Sequence, residues 1–552
     1  MPLSYSYPGI YIQELPLSTH TITPAPTSIT AFVGYTHPWK TATFKTAIQL
    51  FSFSDYETYF GGLYTSGYFD NDVAQAVYAF FLNGGNNAYV VGLQPEALSA
   101  GPAVQFGKDP GDYAFQAKIN PDPLILGVGM QFYALEPGDI VPMTATITNL
   151  RTSSSPTTFD TFDLILTYGT RIEVYRSVNL AINQGLANSL DKRINGISTL
   201  VTVQPISGAS YGTGFAYTTL PPTPPQPVNF ALGTIVTYPA SPAPIPATFT
   251  GSFSASDFIN VFQANSSLDN VQIFNLLLVP GVSDNTVLSA ALEFAERKRA
   301  FALLDPPPQA TAFLVPTSGL PDIESLVGSI PTSQNGALYF PYLKTTDPIS
   351  SLPTQVAPSG YVAGICATTD STRGVWKAPA GMAAILTGTT GPVPTGVMND
   401  MQQGVLNSPT SPTTPVNCLR TFGSSTVVYG ARTLVGTNTA FAQSKYVPVR
   451  RMTLFIEQSL VTSLTWVVFE PNDEPLWLAI RMTIEAFLLS LFNQGALQGS
   501  TPSEAFQVKC DSTTTSPADQ QNGVVNIVIG VALLKPAEFV VITISQLAGQ
   551  TS

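Results

Sequence analysis

The stretch that decides the fold is VQIFNLLLV at residues 271–279, which is followed by a helical pattern and then by AFALL at residues 300–304. The first run is apolar and has the length of a buried strand, and Ser283 or Asp284 can cap the helix after it. The charges of this helix lie together at residues 293–299, which marks its exposed side. A strand, a helix and a second strand in this order predict a β-α-β unit with a right-handed parallel crossover.

The same alternation occurs nearer the N-terminus. AFVG at residues 31–34 and AYVV at residues 88–91 are typical of strands. Between them, Asn71 or Asp72 can begin a helix that continues to Leu82 and ends at the Asn-Gly-Gly turn of residues 83–85. Residues 31–95 and residues 257–305 are therefore both predicted to be α/β.

Residues 97–256 have a different character, with short β-like runs such as residues 162–166 separated by turns. From Ile194 to Ser256 there is no charged side chain, and ten prolines interrupt the stretch. A disordered linker is the alternative, but tyrosine and phenylalanine recur throughout, as at Tyr211 and Phe215. We therefore predict a folded, β-rich inserted domain with long loops.

Residues 351–552 combine helices and strands. A helix is predicted near residues 450–464, a buried strand at Trp466–Phe469 and a second helix at residues 476–494. The second helix places five apolar side chains on one stripe: Trp477, Ile480, Ile484, Leu488 and Leu491. Further strands are predicted at residues 506–510, 524–534 and 538–545.

The acidic residues Glu470, Asp473 and Glu474 have two interpretations. Carboxylates in such a group can bind a divalent cation. Asp473 or Asn472 can instead cap the following helix, and Pro475 fits the first turn of that helix. The capping interpretation is favoured because acidic groups at a helix N-terminus also suit the helix dipole.

The composition excludes several classes of protein. Only 11% of the 552 residues are charged, against about 25% in an average protein. The formal net charge of −12 argues against a nucleic-acid-binding face and against docking on anionic lipid. No run approaches the roughly 18 apolar residues of a membrane span, and the first nine residues do not resemble a signal peptide. Three widely spaced cysteines, Cys366, Cys418 and Cys510, predict neither a disulfide framework nor a zinc site.

Residues for catalysis are scarce. His20 and His37 are the only histidines, and both are predicted to lie in surface loops. Ser210 lies in a G-x-S-x-G sequence, but no histidine follows it to complete a hydrolase triad. Gly107-Lys108 and Gly127-Val128-Gly129 lack the residues of phosphate-binding and dinucleotide-binding loops. We therefore expect no enzyme activity, no cofactor and no metal; a serine hydrolase using Ser210 is the weak alternative.

Seven segments in order resemble the sheath proteins of contractile phage tails and related contractile injection systems. The resemblance covers roughly residues 5–95 and 257–547, and residues 97–256 have no counterpart in it. The segments are YPGIYIQE at 7–14, TSITAFVG at 27–34, FGG at 60–62 with FFLNGG at 80–85, APSGYVAG at 357–364, RGVWKAPA at 373–380, WVVFEPND at 466–473 and PAEF at 536–539.

The resemblance implies a multidomain α/β (α+β) fold. It has mixed-sheet inner domains with exchanged terminal strands and a β-rich inserted outer domain. Residues 1–20 would be a strand-exchange arm, residues 21–96 and 257–350 the middle domain, residues 97–256 a variable insertion at the outer surface, and residues 351–552 the inner domain with the terminal exchange strand.

The resemblance also implies a function. Sheath subunits form six-membered rings that stack around an inner tube, and contraction of the sheath drives the tube through a target envelope. The implied partners are further copies of the chain, the inner tube protein, and baseplate and terminal cap proteins, with no nucleic acid and no membrane insertion. Assembly would occur in the cytoplasm, within a phage tail or phage-tail-like particle that is either released or docked at a membrane. Another lattice protein of such a particle is the alternative.

The terminal segments fit this expectation independently. The short strand at residues 9–12 has no local partner, and the tail strands would present an open edge, which is normally an aggregation hazard. Addition of a strand from another subunit satisfies both. The predicted subunit-linking residues are Pro8, Gly9, Ile10, Tyr11, Ile12, Val524, Val525, Ile527, Val528, Phe539, Val540, Val541 and Ile542. Which helix faces the tube, that of residues 450–464 or that of residues 476–494, stays open.

Overall fold

The computed structural model describes most of the chain outside the N-terminal arm and parts of the insertion. The described residues are 20–37, 41–63, 72–93, 116–119, 130–134, 143–151, 161–168, 171–179, 187–195, 197–198, 200–205, 228–232, 253–307, 330–347, 353–393, 398–407, 414–436, 439–539 and 541–542. The chain divides into two units. The large unit is formed by residues 27–372 and 378–447, and the small unit by residues 1–26, 373–377 and 448–552.

The large unit contains strands β1 to β18 and helices α1 to α7. The strands are β1 (Thr30–Tyr35), β2 (Ala47–Leu50), β3 (Ala88–Leu93), β4 (Gln116–Ile119), β5 (Met130–Ala134), β6 (Met143–Arg151), β7 (Thr161–Tyr168), β8 (Arg171–Val178), β9 (Val201–Pro205), β10 (Val228–Leu232), β11 (Leu276–Leu278), β12 (Phe301–Leu304), β13 (Gly336–Phe340), β14 (Leu343–Thr346), β15 (Pro353–Val356), β16 (Gly391–Pro392), β17 (Val416–Phe422) and β18 (Ser425–Val428). The helices are α1 (Phe53–Phe60), α2 (Asp72–Leu82), α3 (Leu190–Ile194), α4 (Ala255–Val261), α5 (Asn285–Arg297), α6 (Ser359–Arg373) and α7 (Asp400–Asn407).

An eight-stranded mixed sheet organises the large unit, in the order β18-β17-β13-β12-β11-β1-β3-β2. Its six central strands are parallel, and β18 and β2 pair antiparallel at the two edges. The β-α-β unit predicted from sequence is present: β11 and β12 pair in parallel, and α5 connects them. Asp284 caps α5, because its carboxylate accepts the backbone N–H groups of Thr286 and Val287.

The sheet is covered on both faces, as the apolar runs of its strands require. Ala31 and Val33 of β1 belong to a core cluster with side chains of α4 and α5. The intervening residue, Phe32, points to the other face and meets Phe80 of α2 edge to face, with ring centroids 5.6 Å apart. Successive residues of β1 therefore point to opposite faces of the sheet and pack against different helices.

Glycines let α6 approach α2 closely. A β-carbon at Gly360 would clash with the Ala76 backbone, and one at Gly364 would clash with Asn83. The spacing of four residues places both glycines on the same face of α6. Bulkier residues at either position would push the two helices apart.

Asp305 joins three parts of the large unit. It follows β12 and is fully buried. Its carboxylate accepts the backbone N–H of Ser359 at 2.8 Å, the Ser359 hydroxyl at 2.6 Å and the Gly281 N–H at 3.2 Å. Burial raises the pKa of Asp305 to about 6, because desolvation outweighs these hydrogen bonds.

The insertion is rich in β-structure, as predicted. It contains the antiparallel sheets β10-β6-β7-β8 and β4-β5-β9. The pairing register shifts on both sides of β7, and Asn149 and Ser177 at these irregularities have positive φ angles. The buried Asp163 carboxylate accepts the Asn149 amide and the Ser177 backbone N–H, each at 2.8 Å, and so holds both bulges.

The small unit contains helices α8 (Val447–Ser463), α9 (Glu474–Asn493), α10 (Pro502–Ala505) and α11 (Pro517–Gln521), with strands β19 (Phe506–Lys509) and β20 (Val528–Val531). Val447, the first residue of α8, belongs to the large unit. The predicted stripe of α9 is confirmed, because all five of its side chains lie in the core of the small unit. Asp473 caps α9 and Pro475 lies in its first turn, also as predicted.

Several local predictions were wrong. Trp466–Phe469 is not a strand: residues 465–467 form a 3-10 turn, and Val468 and Phe469 are exposed. The chain reverses direction here, because the Glu470 N–H bonds to the Val467 carbonyl and Phe469 has a positive φ, and a strand cannot contain such a turn. His37 is fully buried rather than in a surface loop, whereas His20 is exposed.

Other strands are shorter than predicted. In residues 271–279 only Leu276–Leu278 is a strand, because the pairing with both neighbouring strands begins at Leu276, opposite Thr30 of β1 and Phe301 of β12. In residues 524–534 only Val528–Val531 is a strand. Residues 538, 539, 541 and 542 are not in a strand, and the rest of the predicted strand at 538–545 lies outside the described residues.

Candidate assembly interface

The two-stranded ribbon of β19 and β20 is the first component of the site. The strands pair antiparallel, with Phe506 opposite Val531 and Lys509 opposite Val528. Val508, Ile529 and Val531 face the core of the small unit, whereas Val528 is 55% exposed. No third strand from the described part of the chain pairs with the ribbon. Each strand therefore presents an edge of backbone N–H and C=O groups that another strand can complete.

Farther along the tail beyond β20, the described residues expose large apolar side chains. Phe539, Val541 and Ile542 are all mostly exposed, with Val541 at 87%. Large apolar side chains gathered in this way mark an interaction surface rather than a solvated terminus.

The predicted linking residues fall into three groups. Val525 and Ile527 pack against the core of the small unit. The exposed group consists of Val524, Val528, Phe539, Val541 and Ile542. Pro8, Gly9, Ile10, Tyr11, Ile12 and Val540 lie outside the described residues.

A fixed anchor follows the N-terminal arm in the chain. The Thr23 N–H donates to Ser463 Oγ at 3.1 Å, and the Ala25 N–H donates to Ser459 Oγ at 2.9 Å, so this segment runs along α8. The His20 ring stacks on Trp466, with centroids 3.8 Å apart and planes 5° from parallel. The position at which residues 1–19 join the small unit is thereby fixed. Sequence reasoning missed this anchor.

The connection between α8 and α9 contains a sharp turn. The Glu470 N–H donates to the Val467 carbonyl at 3.2 Å. Val468 has φ −69° and ψ 127°, and Phe469 has φ 73°. These angles define a type II turn with Phe469 at its third position, where glycine or asparagine is favoured.

Asn472 ties this connection to its surroundings. Its side-chain amide donates to the Val524 carbonyl at 3.1 Å, and its Oδ1 accepts the Trp477 indole N–H at 2.8 Å. The connection is therefore bonded both to α9 and to the segment that leads into β20.

The outer face of α9 is apolar as well. Leu478, Met482 and Leu489 are spaced four and then seven residues apart, which places them on one side of the helix, and all three are exposed. In the described part of the chain, this 20-residue helix is the one whose length and composition would suit a membrane span, a test that core helices of soluble proteins also pass.

The acidic cluster acts structurally at Asp473, which caps α9. No three His, Cys, Asp or Glu side chains within the described ranges are grouped as metal ligands. Ser210 and the two glycine motifs at residues 107–108 and 127–129 lie outside the described residues. All three cysteines are buried, and burial raises the pKa of Cys418 to about 12.

The comparisons with known proteins agree with the resemblance found in the sequence. Residues 441–546 match the family model of the phage tail sheath C-terminal domain. The chain is similar to the contracted PVC sheath of an extracellular contractile injection system, at 20% identity and a TM-score of 0.54 over 99% of both chains. It is also similar to the contracted helical sheath of the anti-feeding prophage, at 19% identity and a TM-score of 0.54 over 98% of this chain and 100% of that one. No curated protein matches. The predicted fold class is thereby confirmed: the chain has the mixed α/β fold of contractile sheath proteins.

Proposed function

We propose that the chain is the subunit of a contractile sheath, which polymerises around an inner tube and drives it through a target envelope. The observation that carries the proposal is a fold shared with contracted sheath proteins along nearly the whole chain, together with the family match at residues 441–546. The subunit acts without catalysis, as part of a phage-tail-like particle that assembles in the cytoplasm.

Neighbouring subunits are linked by strand exchange at the β19–β20 ribbon. Its two open edges accept the strand near residues 9–12 of one neighbour and the apolar tail of another. At roughly 0.5–1.5 kcal/mol per hydrogen bond, a five-residue arm supplies only a few kcal/mol. Repetition in every subunit holds the lattice together while rigid bodies rotate.

Deletion of residues 1–14 tests this linkage, because it removes the arm but leaves the His20 anchor in place. The shortened chain should fold and remain a monomer, whereas the full chain should form striated helical tubes in electron micrographs. Normal tubes from the shortened chain would refute the exchange.

The remaining contacts follow from the same arrangement. Six-membered rings stack around the tube, a baseplate protein binds one end and a cap protein the other.

Of the two candidate helices, α9 is the better one to face the tube, because Leu478, Met482 and Leu489 leave its outer side apolar. Met482→Lys should then weaken co-assembly with the tube protein while leaving sheath-only polymers intact; equal tube binding would exclude α9.

Contraction uses a conformational difference stored at assembly rather than nucleotide hydrolysis. Purified sheath should contract without ATP and should hydrolyse none. Turnover by the pure protein would contradict this.

The insertion belongs on the outer surface of the sheath. Replacing residues 100–254 with a short linker should spare polymerisation, since the eight-stranded sheet does not include β4–β10. Loss of all assembly in a folded variant would count against this placement. The same experiments test the alternative functions. If the full chain forms sheets or closed shells instead of tubes, it is another lattice protein. If the wild type hydrolyses esters and the Ser210→Ala variant does not, the serine hydrolase is favoured.

A further inference from the structure

The turn between α8 and α9 places an aromatic residue where the backbone least favours one. Phe469 is the third residue of the type II turn, with φ 73°, and a side chain there strains the backbone. Its ring is fully exposed, so the fold gains no burial in return. Neither local conformation nor packing against the described residues accounts for phenylalanine at this position.

The turn is held firmly on both sides. Trp466, three residues earlier, stacks on His20, and Asn472, three residues later, bonds to the Val524 carbonyl. Val468, next to Phe469, is 63% exposed. Two apolar side chains thus project from a supported turn, which is how anchor residues of protein interfaces are presented.

The turn also lies between the segments that would link subunits. The N-terminal arm joins the small unit at His20, and Val524 begins the segment that leads into β20 of the ribbon. A neighbouring subunit that exchanges strands with the ribbon is therefore brought close to this turn. The buried indole N–H of Trp466 finds no acceptor among the described residues.

We propose that Val468 and Phe469 form an anchor that inserts into the small unit of a second copy of this chain. The inference rests on the proposed function and adds a contact between side chains to the strand exchange. The occupant is another copy because the anchor adjoins both the base of the arm and the segment that leads into the ribbon, where the proposed exchange brings a neighbouring subunit.

Substitution of Phe469 separates the interface role from the folding role. Phe469→Gly and Phe469→Asn remove the ring and relieve the strained backbone, whereas Phe469→Tyr keeps the ring and serves as the matched control. The glycine and asparagine variants should unfold at the wild-type temperature or above it. Their critical concentration for polymerisation should rise at least about tenfold, and that of Phe469→Tyr should stay within about twofold.

The outcomes distinguish this inference from the proposed function. If the wild-type chain forms no tubes, the proposed function fails, and the anchor fails with it. If the wild type forms tubes and Phe469→Gly does so at the same concentration, only the anchor is refuted. A glycine variant that unfolds at a markedly lower temperature would show that Phe469 serves the fold, which also refutes the anchor.

A photoreactive phenylalanine analogue at position 469 identifies what the ring contacts. Tubes are assembled from an equal mixture of isotopically light and heavy chains and are then irradiated. Crosslinked peptides that join light to heavy chains would support insertion into a second copy. Crosslinks confined to one isotope would show that residues of the same chain cover the ring, and in whole particles a crosslink to the tube protein would identify a different partner; both results overturn the proposal.

Discussion

Replacing Asp305 with asparagine should change the stability of the large unit in a pH-dependent way. The carboxyl is fully buried, and it holds the first turn of α6 through Ser359 and the loop after β11 through Gly281. Burial raises its pKa from 3.8 to about 6. Asparagine has a similar shape but does not titrate, so the variant removes the ionisation and keeps most of the packing.

The direction in which stability changes with pH follows from proton linkage. A carboxyl with a raised pKa binds its proton more tightly in the folded chain than in the unfolded chain. Its contribution to stability is therefore most favourable at low pH and is lost as the pH rises from 3.8 through about 6. The rise in pKa from 3.8 to about 6 corresponds to roughly 3 kcal/mol of unfolding free energy. About 2 kcal/mol of this is lost between about pH 4.5 and pH 7.5. Over that pH interval the free energy of unfolding of Asp305→Asn should rise by about 2 kcal/mol relative to that of the wild type.

Hydrogen exchange of the peptide that covers α6 measures this difference locally. Wild type and variant are compared at the same pH, so that intrinsic exchange rates cancel. The ratio of protection in the variant to protection in the wild type should rise about 30-fold from pH 4.5 to pH 7.5. Ser359→Ala removes a hydrogen bond that holds the pKa down, so its midpoint should move to higher pH. A ratio that stays constant or falls with pH would refute the assignment of the shift to burial.

Three further changes test the packing described above. Ile484→Ala should destabilise the small unit by about 2–5 kcal/mol, because Ile484 is fully buried; tryptophan fluorescence during denaturation measures this. Asp473→Ala should cost about 1 kcal/mol through loss of the α9 cap, seen as an earlier loss of helical circular dichroism, and Asp473→Asn should largely restore it. Gly360→Val should force α6 away from Ala76 and lower the calorimetric unfolding temperature; a change below about 2 °C would contradict the close approach.

The parts of the fold that sequence predicted are those in which periodicity and caps agree. The α5 segment has its cap at Asp284 and an apolar side, and α9 has its cap at Asp473 and a clear stripe. Both helices were therefore correctly predicted. Strand extent was predicted less well, because a short apolar run does not show whether a partner strand is present.

Residues 466–469 illustrate that limit. Their aromatic and β-branched side chains are typical of a buried strand, yet they form a turn between two helices. His37 was misjudged for a related reason, since its burial depends on tertiary packing that neighbouring residues do not reveal.

The candidate interface was predictable only in part. An apolar tail is visible in the sequence, but which of its residues face the core of the same chain is not, as Val525 and Ile527 show. The stack of His20 on Trp466 joins residues far apart in sequence, so no local pattern indicates it.

The small unit is assembled from segments that are far apart in the sequence, and this fixes when it can form during synthesis. Residues 20–25 pack on α8, whose sequence is translated after the whole large unit. At about 5–20 residues per second, the roughly 420 residues between these segments take on the order of 20–90 s to make. The ribbon that would join subunits is completed only once Val531 has been translated. Under the proposed function, a chain released before that point lacks the surface needed to enter a growing polymer, so unfinished subunits do not block its end.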